Sequence, residues 1–405
     1  MIVHGRSKED FRYPNDRIHC DTMTEQISSP AKRHDDIVYP SATPFILVHF
    51  SALAVIWSGV TWQAIVMMVA LYFVRIFAIG AGYHRLFSHR AYSTSRWFQF
   101  VLALVAQSSA QKSVLWWASK HRHHHLYSDT DEDTHSPRHT GFLYSHLGWI
   151  FTNRHREPDL DKVKDLVRYP ELRWLNEYEL LPALVLAVVC FLIGGWPGLI
   201  VGFVWSTIGV YHATFAINSV AHVFGRKRYV TGDDSRNNWL LAVFTMGEGW
   251  HNNHHAYQSS VRQGFRWWEF DPTYYVLRAL SWTGLVWDLK TPPRTVVRNE
   301  QKLGTKTIEK AATEVAESFD LEHIIKGIRS AVENAPGEFN KMMSVAKERA
   351  VDLLATVHFP HLPSRTEIQT RAAALLARTR SLDDIVERAH RILLERVVAR
   401  VTPSA

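Results

Sequence analysis

Two short stretches of the chain repeat one unusual histidine spacing. HRHHH at 121–125 and HNNHH at 251–255 each place histidines at positions i, i+3 and i+4. On an α-helix these positions share one face, so the three imidazoles of each stretch can converge on one point. HRLFSH adds His84 and His89, and NSVAH adds His222. The pattern predicts one cluster of metal-ligating histidines.

The number of histidines limits the chemistry of such a cluster. Neutral imidazole suits zinc, copper, iron and nickel, and nine ligands are too many for one ion, so two metal ions are expected. Zinc hydrolases keep about three protein ligands and would leave most of these histidines unused. The two cysteines, Cys20 and Cys190, form no CxxC motif. A histidine-ligated di-metal redox centre fits this composition best.

Two long apolar stretches supply the elements that must position these histidines. Residues 43–81 contain one charged side chain, Arg75, and residues 181–221 contain none. About 20 apolar residues cross a bilayer core, so each stretch is long enough to cross twice. Glycine marks a turn near Gly59 in the first stretch and near Gly195 in the second. The predicted spans are about 44–58, 62–82, 181–196 and 199–221, in two hairpins. A buried helical hairpin of a large soluble protein is the alternative.

The basic residues set the expected orientation. The short loops inside the hairpins carry no Lys or Arg, whereas the flanking regions carry nearly all 46, which places both termini and all nine histidines on the cytoplasmic side. The first residues show no signal peptide, so the first span is expected to direct insertion, into the inner membrane if the chain is bacterial. Basic and acidic residues are interspersed, which argues against a nucleic-acid partner despite the net charge of +7.

The chain is expected to have three parts. Residues 1–42 are polar without a sustained period and predict a flexible cytoplasmic arm. Residues 43–290 form the membrane domain, in which 97–118 predicts one helix lying in the membrane interface, with a fifth span as the alternative. Residues 291–405 predict a helical cytoplasmic extension, because apolar residues recur with a helical period over 305–398.

The histidine motifs and their surroundings resemble the membrane fatty acid desaturases, in the delta-9 stearoyl-CoA branch. GYHRLFSHRAY, HRHHHLYSDTDEDTHSPRHTGFLYSHLGWI, NSVAH and GEGWHNNHH follow the family's order and spacing over roughly residues 45–290. The resemblance implies an all-α integral membrane protein with four transmembrane helices and a cytoplasmic helical cap holding a di-iron centre. Its implied ligands are His84, His89, His121, His124, His125, His222, His251, His254 and His255, with Asn218 acting through a water molecule. His123 fills a non-ligand position.

The resemblance also implies a reaction. An O2-dependent delta-9 desaturation would convert a C16 or C18 acyl chain, carried as acyl-CoA, to a cis monounsaturated product for membrane lipids. Two iron ions, O2 and an external electron donor of ferredoxin or cytochrome type would be required. A phospholipid-linked acyl desaturase and a di-iron hydroxylase of alkyl or lipid substrates stay open. A membrane metal transporter and a noncatalytic histidine-rich scaffold are the alternatives from other classes.

The acyl chain has no polar group near its middle, so a bent apolar channel must locate it by shape. The family's bend residues match Gln111, Trp117 and Thr214. Tyr72 matches the position that closes the family's channel, and Ile76 lies one helical turn nearer the histidines on the same face. Because stearoyl-preferring relatives carry a smaller residue at the Ile76 position, a shortened channel and a palmitoyl preference are expected.

Charged residues near the motifs suggest further roles. Lys112 and Lys120 are candidates to bind the phosphates of CoA, with Arg168 and Arg173 as possible additions, whereas Ser119 replaces a basic residue of the animal acyl-CoA enzymes. Candidates to orient ligating imidazoles through their second ring nitrogen are Asp129, Asp131, Asp133 and Glu248. Arg75 is a costly charge inside a span, and the sequence leaves its role open.

Overall fold

The computed structural model describes residues 36–300 and the isolated positions 303–304, 307–308, 311 and 370. The predicted arm and the predicted helices of 305–398 therefore lie almost entirely outside the described residues. Within the described part, three helical stretches are long and apolar enough to cross a membrane. They are Tyr39–Ser58 (α1), Trp62–Ser88 (α2) and Leu181–Val223. The fold is mostly helical, as the sequence predicts.

The third stretch folds back on itself. It consists of Leu181–Pro197 (α9), a π-helical segment Gly198–Trp205 and Ser206–Val223 (α10). Gly195 has φ 59° and ψ −149°, which breaks the helix. A Cβ atom on Gly198 would overlap the carbonyl oxygen of Cys190, although residues eight apart in a straight helix are separated by about 12 Å. The segments on either side of Gly195 therefore lie against each other.

The outward faces of the apolar helices are exposed. Trp57 of α1 is 82 % exposed and Leu192 of α9 is 76 % exposed, whereas Ile76 on the inner face of α2 is buried. Gly59, with φ 71°, separates α1 from α2, and the Thr61 hydroxyl caps α2 by accepting the Ala64 N–H. Apolar side chains directed outward are typical of a lipid-facing surface.

Shorter helices lie outside these three stretches, and together they are here called the cap. Those before α9 are Arg96–Gln107 (α3), Val114–Tyr127 (α4), Pro137–Thr140 (α5), Phe142–His146 (α6), Lys164–Val167 (α7) and Pro170–Glu177 (α8). Single 3-10 turns are Gly148–Phe151, Asn153–His155 and Leu160–Val163. Those after α10 are Trp239–Phe244 (α11), His251–Ala256 (α12), Pro272–Trp282 (α13) and Arg294–Val297 (α14). Two short antiparallel strands, Ser93–Thr94 (β1) and Val286–Trp287 (β2), pair the segment that follows α2 with the segment that follows α13.

The segment 97–118 differs from the sequence prediction, because it contains a break between two helices. The Ser108 and Ser109 hydroxyls donate back to carbonyls of the preceding turn, and the Ser113 side chain caps the next helix by accepting the Trp116 N–H. Serine side chains compete with the helical backbone in this way. The segment is not among the three membrane-length stretches of the described residues, so a fifth span is not supported.

The turn at Gly195 generates a stability prediction. Gly198→Ala places a methyl group against the Cys190 carbonyl, and we expect it to lower the free energy of unfolding by about 1–3 kcal/mol, the usual cost of overpacking. Gly194→Ala is the matched control, because its nearest contact would be the flexible end of Met67 at 3.6 Å. The midpoint of thermal unfolding in detergent would measure both. Equal midpoints would contradict the close packing around Gly195.

Candidate metal centre

The first histidine pair lies on a π-helical end of α2. Residues Ile79–Ser88 form this segment, and the His89 N–H donates to the His84 carbonyl at 3.2 Å. In an α-helix, residues five apart point about 140° away from each other. The i to i+5 bonding of a π-helix brings them onto one face, and the two imidazole rings lie 5.0 Å apart. The five-residue spacing of HRLFSH therefore places both imidazoles on one face, because this part of the helix is π-helical.

The other histidines come from three separate helices. α4 carries His121, His124 and His125, and the short α12 carries the histidines of HNNHH. His222 lies at the end of α10. All nine histidines singled out from the sequence meet in two groups, whose ring nitrogens within each group lie within 4.8 Å of one another. One group is His84, His89, His121, His125 and His254; the other is His124, His222, His251 and His255.

The spacing of the ring nitrogens fits metal ligation. The Nε2 atoms of His121 and His125 lie 3.0 Å apart, as do those of His222 and His251. Two nitrogens each about 2.1 Å from one ion, at right angles, are about 3 Å apart. The buried Nε2 atoms of His124 and His255 have no hydrogen-bond partner among the described residues. A shared cation would satisfy these atoms.

Carboxylates hold the opposite ring nitrogen of four histidines. The Nδ1 pairs are His124 with Asp133 at 2.9 Å, His222 with Asp129 at 2.9 Å, His255 with Asp233 at 2.8 Å, and His84 with Glu248. A carboxylate at Nδ1 fixes the ring orientation and directs Nε2 into the centre. Each pair joins two segments that are distant in the chain or separated by a turn. The four carboxylates therefore orient four of the candidate ligands.

Three of the four carboxylates match the sequence hypothesis. Asp129, Asp133 and Glu248 contact ligand-candidate histidines, but the prediction is wrong for Asp131, whose side chain is 79 % exposed and pairs with His139 at 3.2 Å. Asp233 was missed. It lies in the acidic turn TGDDS between NSVAH and HNNHH, where only the fold places it beside His255.

Burial controls the charge of the cluster. Desolvation, followed by repulsion from neighbouring imidazoles, holds the pKa of each histidine in one set well below its usual range; this set is His89, His121, His125, His251 and His254. Burial alone would raise the pKa of Glu248, but His84 and Arg85 lower it to about 2. The pKa of Asp233 is likewise below its usual range, because His255 outweighs burial. Neutral imidazoles beside ionised carboxylates are the forms that bind a cation.

In HRLFSH and in HRHHH, an arginine follows the first histidine and links segments of the site by hydrogen bonds. Arg85 donates to Glu248 at 2.9 Å and to Asp271 at 2.9 and 3.0 Å. Arg122 donates to Asp165 at 2.7 Å and to the Phe87 carbonyl at 2.6 Å. Sequence reasoning missed both arginines. Arg85 ties the π-helical end of α2 to the carboxylate that holds His84, and Arg122 ties that same end to α4.

The predicted bend residues contact each other or a histidine of the cluster. The Thr214 hydroxyl donates to Gln111 Oε1 at 2.9 Å. The Trp117 ring stacks on His121, with centroids 4.8 Å apart and planes at 19°. Asn218 lies one turn before His222 on α10, and its carbonyl accepts a hydrogen bond from Ser145. The structure thus brings Gln111 and Thr214 together and places Trp117 against a candidate ligand.

Tyr72, the predicted end of the channel, contacts α10 and α11. Its hydroxyl donates to the Phe244 carbonyl at 2.9 Å, and its ring would lie 3.2 Å from a Cβ on Gly209, so the glycine makes room for it. Ile76 is 2 % exposed, one turn nearer the histidines. Tyr72 therefore packs against α10, and Ile76 lies buried one turn away on the same face of α2.

Several candidate CoA-binding residues are buried or have a partner within the protein. Lys112 forms an ion pair with Glu179 at 3.0 Å, and Ser119 is fully buried. Burial lowers the pKa of Lys120, with Asp159 acting in the opposite direction. Arg168 is exposed and lies over the Tyr169 ring at 4.9 Å. Lys112 does not present an unpaired cation to a phosphate.

Comparison with known proteins adds independent information. Residues 60–287 match the family model described as fatty acid desaturase. The chain is 39 % identical over 237 residues to a chloroplastic palmitoyl-monogalactosyldiacylglycerol delta-7 desaturase of Arabidopsis thaliana, covering 57 % of this chain and 63 % of that protein, less than two thirds of its length. It is 37 % identical to an sn-1 stearoyl-lipid 9-desaturase of Anabaena variabilis, covering 61 % of this chain and 91 % of that protein. An acyl-CoA 5-desaturase of Anemone leveillei is 36 % identical, with coverages of 57 % and 73 %.

The carboxylate contacts generate a prediction on metal affinity. Asp133→Ala removes the partner of His124 Nδ1, and we expect iron affinity to fall by about 10–100-fold, the usual effect of losing such a partner. Asp131→Ala, two residues away and exposed, is the matched control. Iron titration of chelator-stripped protein would measure both variants. Equal affinities would show that Asp133 does not orient a ligand.

Proposed function

Because the chain belongs to the fatty acid desaturase family, as its histidine motifs predicted, we propose that it introduces a cis delta-9 double bond into a saturated C16 or C18 acyl chain. In the balanced reaction, the chain loses two hydrogens while O2, two electrons and two protons are consumed and two waters form. The convergence of nine histidines with four orienting carboxylates is the observation that carries this proposal.

Two iron ions are the cofactor that this site fits. The group of five histidines would hold one ion, and the group of four, with Asn218 acting through a water molecule, would hold the other. Bound iron would supply the oxidising power that an unactivated methylene requires and that no side chain provides. The contribution of the chain is to disfavour protonation of the five imidazoles named above, to orient ring nitrogens through carboxylates and to bury most of the site.

Positioning of the acyl chain is assigned to the residues beside the cluster. Trp117 stacks on a ligand candidate, and the hydrogen bond from Thr214 to Gln111 joins α10 to the segment before α4. An apolar chain passing these side chains would bend next to the histidines and end at Tyr72. Such a path would present one pair of methylenes to the site, because shape is the only handle that the chain offers.

For membrane topology, we propose four spans with the histidine cluster and both termini on the cytoplasmic side, in the inner membrane if the chain is bacterial. The turn at Gly195 supports two spans within Leu181–Val223, and the distribution of Lys and Arg supports the orientation. Electrons would come from a separate protein of ferredoxin or cytochrome type.

For the carrier of the acyl chain, the structure favours a membrane lipid ester over a CoA ester. Lys112 is engaged by Glu179 and Ser119 is buried, so two positions near the cap offer no free cation to CoA phosphates. Two relatives named above are lipid desaturases and one is an acyl-CoA desaturase. Acyl-CoA is the second candidate, and Lys120 with Arg168 and Arg173 would then be its contacts.

The proposed function predicts a product in a desaturase-deficient host. Expression of the wild type should give a new delta-9 monoene, detected by gas chromatography with double-bond localisation. His124→Ala should abolish it, because a ligand is lost. His123→Ala should retain it, because His123 faces the Glu132 carbonyl outside the two groups.

The same experiment separates the alternatives. Hydroxylated products would assign hydroxylation, and a product lost equally in both histidine variants would argue against the assigned ligands. A pulse of labelled palmitate shows the carrier: label in a monoene should appear first in glycerolipid if the substrate is a lipid ester, and first in the acyl-CoA pool if it is not.

Ile76 generates a prediction on chain length. Ile76→Ala removes buried volume one turn above Tyr72, which should lengthen the channel and raise the ratio of C18 to C16 monoene in that host. Ile65→Ala is the control, because Ile65 lies on the same helix and is 44 % exposed. An unchanged ratio in Ile76→Ala would show that Ile76 does not limit chain length.

A further inference from the structure

Arg75 is a fully buried arginine inside α2. Its guanidinium donates to the Ser206 hydroxyl at 2.5 Å and the Thr207 hydroxyl at 2.8 Å, both on α10. It also donates to the Leu71 carbonyl at 3.1 Å and, at 3.5 Å, to the Ser108 carbonyl. Among the described residues, its hydrogen-bond partners are hydroxyl and carbonyl oxygens and include no carboxylate. A charge in this position is costly, so its partners point to a role beyond simple packing.

The Ser108 carbonyl belongs to a short segment that joins α3 to α4, residues 108–113, here called the joint. Its backbone is unusual, because Ala110 has φ 56° and Lys112 has φ 66°. Residues other than glycine rarely adopt positive φ, and such conformations persist only where the surroundings hold them. The joint must therefore be fixed by contacts from outside itself.

Three side chains from the membrane helices provide those contacts. Arg75 reaches the Ser108 carbonyl, the Tyr211 hydroxyl donates to the Ala110 carbonyl at 3.2 Å, and the Tyr83 hydroxyl donates to the Lys112 carbonyl at 2.9 Å. The carbonyls of Ser108, Ala110 and Lys112 are thus bound by side chains from α2, α10 and α2, respectively. Backbone carbonyls that leave a helix need partners when buried, and here all three partners come from the spans.

The joint carries one of the predicted bend residues. Gln111 lies between the two residues of positive φ, and its side chain accepts from Thr214 of α10. On the other side, α4 begins at Val114 and carries Trp117, which stacks on His121. The joint therefore sets how far Gln111, where an acyl chain would bend, lies from the histidine cluster. A shift by one methylene would move a different carbon pair to the cluster.

We propose that Arg75 and Tyr211 are positioning residues that fix the position of the new double bond by holding the joint. The inference rests on the proposed desaturase function and deepens it. Neither residue contacts a histidine of the two groups, so each acts through Gln111. A purely structural role predicts something different: less folded protein, with the double bond still in one place.

The test measures the positional isomers of the monoene in the desaturase-deficient host, together with the amount of membrane-inserted protein and its iron content. Tyr211→Phe removes one hydroxyl from the Ala110 carbonyl. We expect the share of off-position isomers to rise by about fivefold, the change in a ratio that follows from losing one neutral hydrogen bond. Arg75→Met should give a larger rise, because it frees the joint and the two α10 hydroxyls together.

Tyr229→Phe is the matched control, since it removes a buried tyrosine hydroxyl from another carbonyl, that of Val297, away from the joint. It should leave the isomer distribution unchanged. If Arg75→Met does not accumulate, the isomer distribution of Tyr211→Phe alone tests the proposal. A wild type that forms a monoene, with wild-type isomers in the accumulated variants, would overturn this inference only. A wild type that forms no double bond would overturn the proposed function and this inference with it.

Discussion

Nine imidazoles gathered into two groups, with ring nitrogens within 4.8 Å of one another in each group, are the constraint on which the rest of this structure depends. Burial opposes protonation of five of these rings, and a protonated neighbour would oppose it further. A ring that presents one nitrogen inward can use the other nitrogen to bind a partner. Buried carboxylates supply that second contact for four rings. The arginine of HRLFSH binds one of these carboxylates, Glu248, and the arginine of HRHHH binds the Phe87 carbonyl. The cap is therefore a polar scaffold with a dry centre.

The membrane helices must combine an apolar outer face with polar side chains on their inner face. Their outward faces are apolar and exposed, as at Trp57 and Leu192, yet their inward faces carry Tyr72, Arg75 and Tyr211. In hydrocarbon a polar group needs an internal partner, and each of these side chains finds one in a carbonyl or hydroxyl oxygen. The spans thus serve as anchors for the cap's irregular backbone as well as supports for ligands.

Local patterns predicted much of this, and long-range contacts explain what they missed. The i, i+3, i+4 spacing of His121, His124 and His125 was enough to predict a shared face, and the scarcity of charge was enough to predict membrane helices. The break after Gln107 was missed because an apolar run predicts a continuous helix, whereas serine hydroxyls and bonds from distant spans decide the backbone. Asp233 was missed for the same reason, since only the folded chain brings an acidic turn to His255.

The widened helix at Ile79–Ser88 has a consequence for how this sequence can change over generations. In most of the protein, loops tolerate insertions, and buried apolar residues such as Leu86 can be exchanged for others of similar size. Between His84 and His89, however, the count of residues is itself the functional feature, because the His89 N–H bonds the His84 carbonyl across five positions. Losing or gaining one residue would turn one imidazole away while leaving the apolar composition unaltered. Exchange between apolar residues is open to Leu86 and Phe87, and a change in the length of the segment is not.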